Sequence, residues 1–132
     1  MAVRVKIRIR LAEGKSIETV ALANAGAETD VPVIALPIEL ARELNLWPLA
    51  KETAVSVKEL TSETLGYIAP SELIIELLSE SGDKLDETLS HVLVKPGLDE
   101  PTLSDALIEA LGIIIVKAKW ALETCKRSRG HS

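Results

Sequence analysis

The chain begins with a regular alternation of apolar and charged side chains. From Val3 to Leu11 every second residue is apolar, and each residue between them is Arg or Lys. A period of two residues places successive side chains on opposite faces of a β-strand. Glu13-Gly14 supplies turn residues, and Ser16 to Ala23 is apolar again at intervals. The chain is therefore predicted to open with a β-hairpin whose second strand leads into Asn24.

The middle of the chain is predicted to form further short strands and one helix. Pro32 interrupts the apolar run from Val31 to Leu36, which predicts an edge or irregular strand because proline cannot donate a ladder hydrogen bond. Pro37 is predicted to begin a helix of two turns at most, stopped by Asn45. Two more hairpins are predicted, one over residues 53–59 and 65–68 around the polar turn Thr61 to Thr64, and one over residues 73–78 and 88–94.

A second helix and a last hairpin are predicted towards the C-terminus. Thr102 is expected to cap this helix, because Asp105 follows three residues later in a near capping-box arrangement. Gly112 is expected to close it, and residues 113–116 and 120–122 are expected to pair. We expect one domain over residues 1–125 and a basic flexible tail over residues 126–132. A run of hairpins with two short helices predicts an all-β fold, either a closed barrel or a sandwich.

The composition of the chain argues against several classes of protein. The net charge of −5 argues against general nucleic-acid binding, which needs clustered Lys and Arg. Cys125 is the only cysteine, so neither an intrachain disulfide nor a zinc cluster is expected, and His131 adds too little for a metal site. We find no signal-like segment and no apolar run long enough for a membrane helix, which predicts a cytoplasmic protein. The many Glu and Lys and the absence of Gln are typical of a heat-adapted source.

The first strand carries a strongly basic face. Its cationic side chains are Arg4, Lys6, Arg8 and Arg10. One interpretation is the solvated outer face of a sheet strand, and the other is a surface that binds an anionic partner. Elsewhere, His91 is interpreted as a surface or hydrogen-bonded strand histidine, and Trp47 and Trp120 as side chains that plug the ends of a barrel.

Two segments carry a family resemblance. Residues 21–28 read Ala-Leu-Ala-Asn-Ala-Gly-Ala-Glu, and residues 103–113 read Leu-Ser-Asp-Ala-Leu-Ile-Glu-Ala-Leu-Gly-Ile. In these segments and in the order of the predicted elements, the chain resembles the retropepsin-like aspartic proteases over nearly its whole length. The family motif has two apolar residues, any residue, Asp, Thr or Ser, Gly and Ala. It is followed by a strand, a short helix ending in Leu-Gly-Leu (here Leu44-Asn45-Leu46), a flap hairpin and an Ile-Leu-Gly segment before a helix.

The resemblance implies a closed retropepsin-like barrel and a homodimer, because each chain supplies one motif and so half of a cleft. Its catalytic positions fall on Asn24, Ala25 and Gly26, and its flap on Thr61, Ser62, Glu63 and Thr64. No cofactor or metal is implied. In the family, an aspartate from each chain shares a proton, so that one activates water while the other polarises the scissile carbonyl.

The departures from the family motif change the expected chemistry. Asn24 replaces the catalytic aspartate, and a carboxamide cannot act as a general base at neutral pH. Ala25 lacks the hydroxyl that braces the two active-site loops in the family, and Leu103-Ser104 replaces Leu-Gly. The first functional hypothesis is therefore a non-catalytic member that binds an extended peptide or a protein in the cleft.

Two alternatives remain open. One is an active aspartic-type peptidase, in which either Asn24 is deamidated or another carboxylate takes its place; the candidates are Glu28, Asp30 and Asp105. These acids are equally explained as solvated loop residues and, for Asp105, as a helix cap. The other is an accessory protein that binds an anionic partner through the basic first strand.

Overall fold

A computed structural model describes residues 2–24, 29–49, 54–58, 63–117 and 122–126. Ten strands and two short helices lie in these ranges. In chain order they are β1 Ala2–Arg10, β2 Ser16–Asn24, β3 Val33–Leu36, α1 Ile38–Glu43, β4 Ala54–Lys58, β5 Glu63–Ile68, β6 Leu73–Leu78, β7 Lys84–Val94, β8 Thr102–Leu103, α2 Asp105–Ala110, β9 Ile113–Lys117 and β10 Leu122–Lys126. The chain is mostly β with two short helices, as the sequence predicts.

Eight of the strands belong to one sheet whose pairings return on themselves. The order is β3-β8-β2-β1-β6-β7-β5-β4, and β3 also pairs with β7. Six strands therefore form a closed ring of pairings, from which β5 and β4 extend. Strands β9 and β10 form a separate antiparallel pair.

The alternation in β1 determines which of its faces is buried. Val3, Val5, Ile7 and Ile9 are at most 8% exposed, whereas the basic residues between them point away from the core. In the register of the first hairpin Ala2 lies opposite Asn24 and Arg10 opposite Ser16. The predicted first hairpin is confirmed, and its apolar face packs into an aliphatic core with side chains of β3, β6, β7 and both helices.

The predicted edge position of the third strand is wrong. β3 pairs with β8 on one side and with β7 on the other. Pro32 lies one residue before the strand, so no ladder N–H is missing. Its carbonyl accepts a hydrogen bond from the His91 N–H at 3.0 Å. The proline thus stands at the entrance of a strand that is paired on both sides.

The helix boundaries correct two sequence predictions. Ser104, not Thr102, is the N-cap of α2, because Thr102 and Leu103 are paired in β8. Asp105 is the first helical residue rather than a cap. Pro37 is the N-cap residue of α1, one position before the helix.

Asn45 ends the first helix in the left-handed conformation, with φ of 62°. Its N–H donates to the Arg42 carbonyl, and the Leu46 N–H donates to the Ala41 carbonyl, which together form a Schellman motif. Trp47 follows, is partly buried against the core and contacts Tyr67 edge-to-face with ring centroids 5.1 Å apart. Trp120 lies outside the described residues.

The later hairpins differ in detail from the prediction. In the hairpin of β6 and β7, the second strand begins at Lys84 rather than at Thr88. β5 begins at Glu63, so Glu63 and Thr64 pair with Lys58 and Val57 instead of forming the turn. The last hairpin exists, but its second strand covers 122–126 rather than 120–122. Lys126 is therefore part of a strand and not of the predicted tail, whose remaining residues lie outside the described part.

Both helices are six residues long. In the part of the chain that the structure describes, no helix has the length and apolar character needed to cross a membrane.

Candidate functional site

Asn24 is the last residue of β2, where its backbone pairs with Ala2 of β1. The sequence placed this residue at the end of a strand, and the structure agrees. Ala25, Gly26 and Glu28 lie outside the described residues. The chain is described again from Thr29, whose hydroxyl donates to the Val31 carbonyl at 2.7 Å.

The chain from Asn24 to Pro32 joins β2 to β3 and is called the Asn24 segment. The two strands that it joins are both paired with β8. Leu22 and Ala23 of β2 pair in parallel with Thr102 and Leu103, and the Leu22 N–H donates to the Pro101 carbonyl at 2.8 Å. On the opposite side, Ile34 and Ala35 of β3 pair antiparallel with the same two residues. β8 therefore lies between two strands that the Asn24 segment joins directly, and it fixes both ends of that segment in the sheet.

Ser104 continues this attachment beyond the end of β8. It is 3% exposed. Its Oγ accepts hydrogen bonds from the N–H groups of Val33 at 3.0 Å and Leu107 at 3.2 Å. Its own N–H donates to the Val33 carbonyl at 3.0 Å. The sequence pattern predicts no function for this hydroxyl, although serine is among the residues favoured at helix N-caps.

The described half of the predicted flap belongs to the hairpin that extends the sheet. Glu63 and Thr64 lie in β5, while Thr61 and Ser62 lie outside the described residues. β5 pairs with the last residues of β7, and β4 is the final strand in the sheet order. The pairings of the described strands do not connect this hairpin directly to the Asn24 end of β2.

Two of the three carboxylates proposed as substitutes for an aspartate lie among the described residues. Asp30 is exposed, and Asp105 is half-buried in the first turn of α2. Glu28 lies outside the described residues. Among the residues that are described, no group of three His, Cys, Asp or Glu side chains is arranged to hold a metal ion.

His91 lies on the exposed face of β7. Its Nε2 is 3.4 Å from the Glu72 carboxylate, and both side chains are about half exposed. This position agrees with the interpretation of His91 as a surface strand histidine. Its backbone N–H donates to the carbonyl of Pro32, the residue before β3.

The basic face of β1 is paired with carboxylates of the same chain. Arg4 forms an ion pair with Glu100, Arg8 with Glu18 and Glu76, and Arg10 with Glu76 and Glu87. Lys6 donates to the carbonyl of Glu80. These contacts supply internal counterions for the three arginines, so the basic strand gives no specific support to the hypothesis of an anionic partner.

One of these pairs lies next to the candidate site. Arg4 binds Glu100 with two parallel hydrogen bonds, Nε to Oε1 at 2.9 Å and Nη2 to Oε2 at 2.8 Å. Glu100 directly precedes Pro101, which accepts the Leu22 hydrogen bond. The arginine hydrogen bond is the main cause that lowers the pKa of the Glu100 carboxyl below its ordinary value, partly opposed by desolvation.

This pair predicts a pH-dependent contribution to stability. A carboxyl group whose pKa is lower in the folded chain stabilises the fold above its unfolded pKa of about 4.3, and that stabilisation disappears as the pH falls through the folded value. We expect Glu100→Gln to lower the urea midpoint at pH 7 and to lower it less at pH 3. Arg4→Met should lose the same pH-dependent part, and a deficit of equal size at both pH values would contradict the assignment.

A comparison of the chain with models of known protein families finds no matching family, and a comparison with curated proteins finds no match either.

Proposed function

We propose that the chain is a catalytically degenerate retropepsin-like protein that binds an extended peptide or a protein partner in a cleft between two copies. The observation that carries this proposal is the position of β8 between β2 and β3. It attaches both flanks of the Asn24 segment to the residues that lead into α2. These are the two segments in which the sequence resembles the family.

The order of the elements supports the same proposal. After the Asn24 segment come a strand, a six-residue helix, a hairpin and, later, a short strand that leads into a second helix. This is the order that the resemblance implies. At the glycine position of the family's Leu-Gly-Leu the chain has Asn45 with a positive φ. Asparagine is among the few non-glycine residues that tolerate this conformation.

The closed ring of strand pairings is compatible with a retropepsin-like barrel. A barrel of this kind carries one motif per chain, so a second copy would be needed to complete a cleft. The dimer and the barrel are both parts of the proposal.

The chemistry at Asn24 supports binding rather than hydrolysis. A carboxamide has donors and acceptors for hydrogen bonds, but it cannot accept the proton of an attacking water near neutral pH. Recognition of an extended chain needs backbone edges and side-chain pockets, neither of which depends on an ionised acid. Among the described strands β4 is the last in the sheet order, and a last strand is a position where an added strand can pair.

The proposal is tested by incubating the chain with a library of unstructured peptides at pH 4 and pH 7. We expect no cleavage by the wild-type chain, whose intact mass confirms that Asn24 is not deamidated. Restoring the family motif with Asn24→Asp and Ala25→Thr together should raise cleavage by at least about two powers of ten, because a general base is regained. Ala25→Thr alone is the matched control and should stay inactive.

Two results would contradict this assignment. Cleavage by unmodified wild type, blocked by a transition-state inhibitor of aspartic proteases, would favour the active peptidase. A chain that sediments at its single mass of 14.2 kDa at all concentrations would remove the two-copy cleft.

A further inference from the structure

The outer face of β7, which points away from the core, carries two leucines. The outward residues occupy every second position of the strand, and they include Glu87, Leu89, His91 and Leu93. Leu89 is 56% exposed, although β7 is paired with strands on both of its sides. Because the core does not use this leucine, the outer face of a paired strand presents apolar surface to its surroundings.

Two neighbouring strands extend this apolar surface. Ile74 of β6 lies directly opposite Leu89, and Ile68 of β5 lies opposite Leu93. Ile68 is 45% exposed, and Ile74 and Leu93 are partly exposed. We call these four residues, Ile68, Ile74, Leu89 and Leu93, the Leu89 patch. Single exposed apolar residues need no explanation, but neighbours from three strands indicate a contact surface.

A carboxylate and an imidazole lie on either side of Leu89. Glu87 precedes it by two residues and His91 follows it by two, so each Cα is about 7 Å from that of Leu89 along the strand. The Glu87 carboxylate is 3.0 Å from Lys84 Nζ, and His91 Nε2 is 3.4 Å from the Glu72 carboxylate. A carboxylate accepts hydrogen bonds and an imidazole donates them, from both nitrogens when protonated. An acceptor and a donor thus lie symmetrically about an apolar centre.

We propose that the Leu89 patch is an interface with a second copy of this chain, related by a two-fold axis that crosses β7 at Leu89. A two-fold interface uses the same surface on both copies, so that surface must be complementary to itself. Rotation about this axis brings Leu89 against its counterpart and sets Glu87 of each copy against His91 of the other. The polar pair therefore forms twice, once on each side of the apolar centre.

The symmetric placement favours a second copy over a different protein. A partner with another surface would not require the acid and the histidine to lie at equal distances from Leu89. The proposal uses residues of β5, β6 and β7 alone, and it does not depend on the proposed cleft. It therefore adds a second contact between copies to the proposed function.

Sedimentation of the full chain tests the interface first. Leu89→Asp should halve the mass of the assembly at a concentration where the wild-type chain is associated, because burying an unpaired carboxylate opposes association. Val20→Asp is the matched control and should leave the mass unchanged. Val20 is 45% exposed on the outer face of β2, opposite Lys6 and away from the patch.

Two results of this measurement would overturn the proposal. An associated wild-type chain whose mass is unchanged by Leu89→Asp joins its copies elsewhere, which leaves the two-copy cleft intact. A wild-type chain that stays monomeric at all concentrations leaves the patch to a different protein and removes the two-copy cleft as well.

A charge exchange tests the position of the axis. Glu87→Lys alone sets a lysine against His91 of the second copy, and His91→Glu alone sets two acids together. Each variant should associate at least about 10-fold more weakly than wild type. An equimolar mixture of the two should recover association to within about 3-fold of wild type, because the new lysine then meets the new glutamate. A mixture that associates no better than the single variants would exclude an axis at Leu89.

Crosslinking keeps the charges unchanged and provides the test if a charge variant does not fold. The background Cys125→Ser removes the only cysteine of the sequence. Facing sheets lie about 10 Å apart, too far for a direct disulfide, so Leu89→Cys should instead be joined to its counterpart by a short bismaleimide. Val20→Cys in the same background should give at least about 10-fold less crosslinked dimer, because it lies away from the axis. Equal yields at the two positions would indicate random encounters and overturn the interface.

Discussion

Replacing Ile7 with alanine is expected to lower the free energy of unfolding by about 3 to 4 kcal/mol. Ile7 is fully buried and lies in β1, where it pairs with Thr19 of β2 on one side and Leu77 of β6 on the other. Because both neighbouring strands are fixed by their own ladders, the cavity cannot close by a small shift of β1. A loss of this size is a large fraction of the stability of a single domain.

Urea denaturation followed by circular dichroism measures this loss. Val20→Ala is the matched control, because Val20 lies in the same hairpin but is 45% exposed, and it should change stability by no more than about 0.5 kcal/mol. Ile7→Val should fall between them, at about 1 kcal/mol. Equal losses for Ile7→Ala and Val20→Ala would mean that the two faces of the hairpin are not separated as the structure has them.

The hairpin that contains Ile7 shows what the sequence can predict well. Alternation over nine residues defines a strand and its buried face with no knowledge of the rest of the chain, because the period of two follows from backbone geometry. The turn at Glu13-Gly14 then places the second strand beside the first. Both elements are local, and both are confirmed.

The errors arise where a residue's environment is set by distant parts of the chain. Pro32 within the run Val31 to Leu36 predicts an edge or irregular strand. The strand that forms, Val33–Leu36, is instead paired on both sides with β7 and β8, which come from distant parts of the sequence. Thr102 and Ser104 are both reasonable caps for α2 in the sequence. Only the pairing of Thr102 with β2 and β3 shows that the helix must begin later.

The same difference between local pattern and long-range contact applies to the candidate site. The position of Asn24 at the end of β2 followed from the apolar strand before it. The hydrogen bond from the Val33 N–H to Ser104 Oγ could not be predicted in this way, because it joins residues 71 positions apart. Likewise, the sequence shows that β1 has a basic face but not that Glu18, Glu76, Glu87 and Glu100 come from separate segments to neutralise it.

The second large effect is expected at Glu76, a carboxylate that is only 4% exposed on β6. Its Oε1 is 2.6 Å from Arg8 Nη1, and its Oε2 is 3.1 Å from Arg10 Nε. Glu76 also lies directly opposite Glu87 of β7, and Arg10 reaches both acids. The two arginines therefore compensate a buried negative charge that has another acid as its cross-strand neighbour.

This arrangement predicts an asymmetry between its members. Removing both arginines, with Arg8→Ala and Arg10→Ala, leaves the Glu76 carboxylate buried without its counterions, which is expected to destabilise the fold by about 3 kcal/mol or more. Glu76→Ala should be milder, because the guanidinium groups it leaves behind are partly exposed and keep Glu18 and Glu87 as partners. Denaturant midpoints of the variants measure the difference.

Adding Glu76→Ala to the arginine double variant should then raise the stability, because it removes the stranded charge. Glu18→Ala is the control for a general charge effect, since Glu18 contacts the same Arg8 from an exposed position and should have little influence. A triple variant less stable than the double variant would contradict the interpretation. In that case Glu76 would stabilise the sheet through its packing, and the two arginines would not be needed to compensate its charge.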